Sequence, residues 1–136
     1  MKPIEINIHP SEDVFDYGCC ATLAIGTAFN VGRNAMNGLC EALRYKGWRH
    51  GLTFVQVKRL ITLLDYRQEA KYYPNRSHVE YGQLITVCPD DKFLVMFDEH
   101  LSYAYKGEVI DGYLYGMERE DRQAWMQMIP TGWWKL

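Results

Sequence analysis

Cys19, Cys20, His100 and Asp111 are the residues of this chain whose types and order could do covalent chemistry. A thiol attacks a carbonyl carbon as its thiolate, and the positive end of a helix dipole with unpaired N–H groups favours that form. An imidazole within reach takes the thiol proton and later returns it to the leaving group. A carboxylate behind the imidazole fixes its tautomer and stabilises the imidazolium. The expected reaction is acyl transfer, with Cys20 as nucleophile, His100 as base and acid, Asp111 as orienting carboxylate and the Cys20 backbone N–H in the oxyanion hole. Cys19 stays open as the alternative nucleophile.

Each group needs an element to hold it. From Cys20 onward Ala21, Leu23, Ala24, Ile25, Ala28 and Phe29 surround a helix almost completely, which predicts a buried rod with a thiol at its first turn. Gly18 permits a sharp turn at the end of an approach loop over residues 14 to 18. His100 and Asp111 flank a predicted hairpin of Leu101 to Tyr105 and Glu108 to Ile110 around Lys106-Gly107. With a two-residue turn, Tyr105 faces Glu108, Ser102 faces Asp111 and His100 faces Tyr113. His100 and Asp111 are then diagonal neighbours on one face, with backbones about 7–8 Å apart. A three-residue turn would put them on opposite faces, so the triad depends on the register.

The rest of the chain supplies the packing. Ile4 to His9 alternates apolar and polar, as a half-buried strand does, and Pro10 to Asp13 ends it. Asn34 to Tyr45 has helical periodicity through Met36, Leu39, Cys40 and Leu43, with Gly47 as its stop. Thr53 and Gln56 form a capping-box signature for a helix from Phe54 to Leu64, with Val57, Leu60, Ile61 and Leu64 inward and Lys58 and Arg59 outside. Asp65 to Arg76, with Tyr66, Tyr72 and Tyr73, fits a strand or a covering loop. Ser77 and Glu80 suggest a second capping box for a short helix from Val79 to Val87. Lys92 to Phe97 is a continuous apolar strand, Glu118 to Ile129 fits helix or strand, and Trp125, Trp133 and Trp134 draw the tail back onto the domain. His9, His50 and His78 read as solvated, Asp90-Asp91 and Glu118 to Asp121 as exposed charge, and Cys40 as packed in its helix.

Composition narrows the function classes. The chain has 136 residues, enough for one domain spanning 1–136 with a core that needs no metal or disulfide staples. A hydrophobic content of 48% excludes intrinsic disorder, and a net charge of -2 gives no nucleic-acid footprint. The four cysteines match no zinc spacing and contain no CxxC, so neither metal nor cofactor is expected. With no secretory h-region after Met1 and no apolar run of the roughly 20 residues a span requires, the expected setting is reducing and cytoplasmic, away from membranes. The predicted class is α+β, with N-terminal helices packed on a C-terminal antiparallel sheet.

Gly18-Cys19-Cys20-Ala21-Thr22-Leu23-Ala24 at the head of a buried helix, Gly47-Trp48-Arg49-His50-Gly51-Leu52-Thr53 in the middle and His100 to Asp111 as a closing hairpin resemble the papain-like cysteine peptidase fold. More narrowly they resemble small bacteriophage proteins of that fold. The resemblance covers most of residues 14 to 113 and rests on the order of short motifs. It implies a thiol peptidase or amidase with the triad Cys20, His100 and Asp111. Such an enzyme would act on a protein or peptide, and on a host protein in the host cytoplasm if phage-encoded. Aligning Gly18-Cys19-Cys20 on the family's Gly-Ser-Cys favours Cys20. The sequence departs from the family at Gly18-Cys19 and Leu23. Val14 stands where a Gln usually serves the oxyanion, leaving Asp16, Asn7 or a backbone group for that role. Two other functions share these residues: a binding module on the same scaffold that blocks a host protein through Tyr113, Tyr115, Trp133 and Trp134, and a transglutaminase-like or deamidating enzyme.

Overall fold

In the computed structural model the described residues are 5–7, 19–115 and 117–136, with the side chains of 5–7, 113 and 115 outside the description. The chain runs β1 (Glu5–Asn7), α1 (Cys20–Ala28), α2 (Arg33–Ala42), a single 3-10 turn (Trp48–His50), α3 (Phe54–Leu64), β2 (Lys71–Pro74), α4 (Tyr81–Val87), β3 (Lys92–Met96), β4 (Leu101–Tyr105), β5 (Glu108–Ile110), α5 (Gly112–Tyr115), α6 (Arg119–Met126) and β6 (Gly132–Lys135). The fold is α+β. Its sheet has the strand order β1-β5-β4-β3-β6-β2, antiparallel throughout except where β1 adds to β5 in parallel.

The sheet is not purely C-terminal, which corrects the sequence expectation. Both its edges, β1 and β2, come from earlier in the chain. Nor do helices cover one face alone. Leu94, Met96, Leu101, Tyr103 and Trp134 pack against Ala21, Ala24 and Ile25 of α1, Met36 and Cys40 of α2, and Val57, Leu60 and Ile61 of α3. On the opposite face Phe93, Val95, Ala104 and Val109 meet Tyr81, Leu84 and Ile85 of α4, Leu114 of α5 and Met126 of α6. This is why β3 reads as an unbroken apolar run: a strand covered on both faces has no wet side to alternate with. Each fully buried aliphatic side chain stabilises the fold by about 1.5–3 kcal/mol, so the central strand anchors both layers.

Local chemistry explains most of the helix boundaries. Thr53 and Gln56 form the expected box, with Gln56 N–H donating to Thr53 Oγ1 at 3.2 Å and Thr53 N–H to Gln56 Oε1 at 2.9 Å. Two other readings move. The α2 helix ends at Ala42, with Arg44 in the left-handed region at φ 57° and the N–H groups of Arg44 and Tyr45 donating to Glu41 and Cys40 carbonyls. That is a Schellman closure made without glycine; Gly47, at φ 67°, precedes the 3-10 turn instead. The Ser77–Glu80 box does not form, and α4 begins two residues later than expected, after Glu80. Asn75 organises that loop: its side chain donates to the Val79 and Pro130 carbonyls and accepts from Val79 N–H.

The region from Asp65 to Arg76 resolves as a loop followed by β2, which pairs with β6. Glu118 to Ile129 resolves as α6 and the connection to β6. Of the strand expected over residues 4 to 9, residues 5–7 form β1, and the rest lie outside the described residues together with the approach loop at 14 to 18.

Candidate active site

Of the two registers left open by the sequence, the one with a two-residue turn forms. Tyr105 pairs with Glu108, Ala104 with Val109 and Tyr103 with Ile110. The turn residues Lys106 and Gly107 have φ of 53° and 76°, the pair of positive values that a two-residue hairpin turn needs to match strand twist. Val109 and Ala104 face the α4–α6 layer. His100, four residues before Ala104, and Asp111, two after Val109, fall on the same side by the alternation of the strands. His100 Nε2 donates to Asp111 Oδ2 at 2.6 Å. His100 does not go on to face Tyr113 in a ladder, because the chain turns into α5 at Gly112.

That turn gives the aspartate a second task. Asp111 Oδ1 accepts the Leu114 N–H at 3.2 Å, a side-chain cap on the first turn of α5. One carboxylate oxygen is thereby tied to a helix start while the other holds the imidazole, so the carboxylate has little freedom to rotate. Asp111 is 2% exposed and His100 9%. The cap was legible as an Asp followed three residues later by an apolar helical position, a signal the strand reading of this segment obscured.

Cys20 is the first residue of α1, and Cys19 is its cap. The α1 helix lies on one face of the sheet and His100 packs toward the other, so they meet at the end of the sheet where β4 starts and β5 finishes. Burial acts to raise the Cys20 pKa, but a hydrogen bond to His100, the charge on that ring and the Leu101 backbone N–H together hold it below the usual 9.0. With Nε2 committed to Asp111, Nδ1 is the ring nitrogen left for the sulfur. Burial acts to lower the His100 pKa; hydrogen bonds to Asp111 and Cys20 and their negative charges override it and push it up to about 9. Thiolate and imidazolium therefore support each other.

Cys19 is turned to a different task. Its sulfur lies 3.5 Å from Thr22 Oγ1, its N–H donates to that oxygen at 3.3 Å, and the Thr22 hydroxyl donates to the Cys19 carbonyl at 3.0 Å. Of the two thiols, Cys20 is the one coupled to His100.

Aromatic rings enclose the imidazole. Trp125 of α6 stands edge-to-face with the His100 ring at 5.3 Å between centroids, and Phe97 lies at 6.1 Å. The sequence marked Trp125 only as a packing residue; nothing in the local pattern linked α6 to His100. Behind the pair, Tyr81 and Ser102 share a hydrogen bond of 2.6 Å between buried hydroxyls. Burial and the nearby Asp111 charge raise the Tyr81 pKa well above its ordinary value, so this phenol stays neutral.

The remaining candidates sort plainly. His50 and His78 are exposed, Asp91 is partly exposed and pairs with Lys135 at 3.5 Å, and Cys40 is fully buried in α2. His9, Val14, Asp16 and the Asn7 side chain lie outside the described residues. Trp134 is 3% exposed, which corrects its reading as an interface aromatic; Trp133 is half-buried, and the side chains of Tyr113 and Tyr115 lie outside the description. Among the described residues no group of three or more His, Cys, Asp or Glu is placed to hold a metal ion. Among the same residues no helix is long and apolar enough to cross a membrane. No family model, curated protein or solved structure matches the chain.

Proposed function

We propose that the protein is a cysteine-dependent acyl-transfer enzyme of peptidase or amidase type. The observation that carries this reading is the hydrogen-bonded series Cys20, His100, Asp111, with a pKa lowered at the thiol and raised at the imidazole. The Cys20 thiolate adds to the carbonyl carbon of a peptide or amide. The oxyanion forms beside the Cys20 backbone N–H, one of the helix-start donors that no intrahelical acceptor satisfies. The His100 imidazolium gives its proton to the departing amine, leaving an acyl-thioester on Cys20. Neutral His100 then takes a proton from water, whose oxygen attacks the thioester and releases the acid and the thiol. Asp111 keeps the ring oriented through both halves.

A thiol heading a buried helix, a histidine entering a strand and an acid leaving the next strand also support a papain-like architecture, proposed here on element order alone. The enzyme is expected to label with iodoacetamide at Cys20 at neutral pH at least about tenfold faster than a free cysteine. An activated ester should leave an acyl adduct of matching mass on the same residue. His100→Ala should slow both, because burial then acts on the thiol unopposed by the ring. Labelling at the free-cysteine rate, unchanged in His100→Ala, would remove the proposal.

A further inference from the structure

We infer that the outer face of α3 is a docking surface for an acidic, partly apolar polypeptide. This goes beyond the acyl-transfer reading and does not depend on it. The helix buries Val57, Leu60 and Ile61 inward, so its core face is complete. Outward it sets Val55, Arg59 and Leu63 in one row at four-residue spacing, with Lys58 beside them; Val55 is 72% exposed and Leu63 50%. Two branched apolar side chains lie at least half in water on either side of a guanidinium. They offer a partner both a charge and anchors.

The charge sits in a basic stretch of the chain. From Cys19 to Leu64 the chain carries Arg33, Arg44, Lys46, Arg49, Lys58 and Arg59 against one acid, Glu41, although the whole chain is at -2. The acid that closes α3, Asp65, is occupied by the N–H groups of Ala70 at 2.8 Å and Glu69 at 3.3 Å. Among the described residues no carboxylate pairs with Lys58 or Arg59. The layer built from α1 to α3 is thus basic, while the turn before His100 and the start of α6 expose Asp98, Glu99, Glu118, Glu120 and Asp121.

That asymmetry selects the partner's chemistry. A nucleic acid would gain little from Val55 and Leu63 and would be repelled by the acidic half of the molecule. An anionic membrane takes an amphipathic helix by its broad apolar face, and here that face is inside the core. A polypeptide carrying Glu or Asp beside Leu or Phe matches the row on both counts.

The test is fluorescence anisotropy at low salt with three labelled probes: an amphipathic peptide of Glu and Leu, the same peptide with Lys for Glu, and single-stranded DNA. Vesicles containing phosphatidylserine are assayed in parallel by sedimentation. The acidic peptide should bind and the basic one should not. Lys58→Glu with Arg59→Glu should weaken the acidic peptide at least about tenfold. Val55→Ser with Leu63→Ser should weaken it several-fold while keeping its salt dependence. All four positions are exposed, and an unchanged Cys20 alkylation rate confirms that each variant is folded. The inference is overturned if the acidic peptide fails to bind or the charge reversal leaves its affinity intact. DNA or vesicles binding as tightly, with no loss in Val55→Ser/Leu63→Ser, would overturn it equally.

Discussion

The Cys20–His100–Asp111 series makes a specific demand on pH. The His100 pKa rises from the ordinary 6.5 to about 9 in the fold, so its ion pair contributes stability that is complete below 6.5 and disappears as pH climbs through about 9. The Cys20 pKa moves down from 9.0, so the stabilisation of its thiolate is present above that value and is lost on acidification through the lowered one. Between these limits the site holds thiolate and imidazolium together. Two measurements should consequently diverge: alkylation of Cys20 rises with a midpoint below 9.0 and stays high, whereas amide hydrolysis falls again above about 9, where the ring no longer has a proton to give. Asp111→Asn keeps the shape but removes the charge that raises the imidazole. Its descending limb should move to lower pH and its hydrolysis rate should fall by about 10²–10⁴-fold. A profile with the same upper limb in Asp111→Asn would mean that the carboxylate does not act through His100. The residue types and their order were legible in the sequence because thiol, imidazole and carboxylate are few and chemically distinctive. The choice of Cys20 over Cys19 was favoured by the family alignment alone, since the residue types do not say which sulfur the start of β4 approaches.

At the scale of elements, the β4–β5 hairpin decides whether this chemistry exists. The place of its turn was legible in Lys106-Gly107 between two strands, but the choice of a two-residue over a three-residue turn was not; Gly107 at φ 76° adopts a conformation that costs other residues about 1–2 kcal/mol. Deleting Lys106 would force a two-residue turn to take in Tyr105 or Glu108 and so shift the pairing by one. Asp111 would then project from the face opposite His100. Far-ultraviolet circular dichroism should stay close to that of the parent while Cys20 alkylation at neutral pH drops toward the free-cysteine rate. Retained fast alkylation would show that Asp111 is dispensable for activating the thiol. Local signals of this kind placed α3 to the residue. They failed at α4, where the partner of Asn75 is Pro130, and at β2, whose identity as a strand comes from β6. Four-residue strands such as Lys71–Pro74 carry too little pattern to announce a partner so distant in the chain.

On the scale of the molecule, stability and chemistry lie toward different edges of one sheet. The β6 strand is inserted between β3 and β2, and Trp134 at its centre stacks with Phe54 at 5.5 Å and tilts against Tyr72 at 4.7 Å, closing the core beneath α3. Gly132 has no room for a side chain, since a Cβ there would stand 2.6 Å from Tyr72 Cζ. His100 and Asp111 are at the other side, just before β4 and just after β5, with β3 between. Trp134→Ala removes a buried aromatic from the larger core and should cost about 3–5 kcal/mol of folding free energy, read as a lower urea midpoint with an unchanged slope. The folded fraction should nevertheless keep its Cys20 reactivity. The ring contacts of Trp134 run to Phe54 and Tyr72, on the far side of β3 from the triad, and distant sites contribute to stability almost independently. The decisive comparison is the alkylation rate well below the urea midpoint: equality with the parent within about twofold fits a site held by α1, β4 and β5 alone. A large fall in the fully folded variant would mean that strain in the β2–β6 half propagates through β3 into the triad.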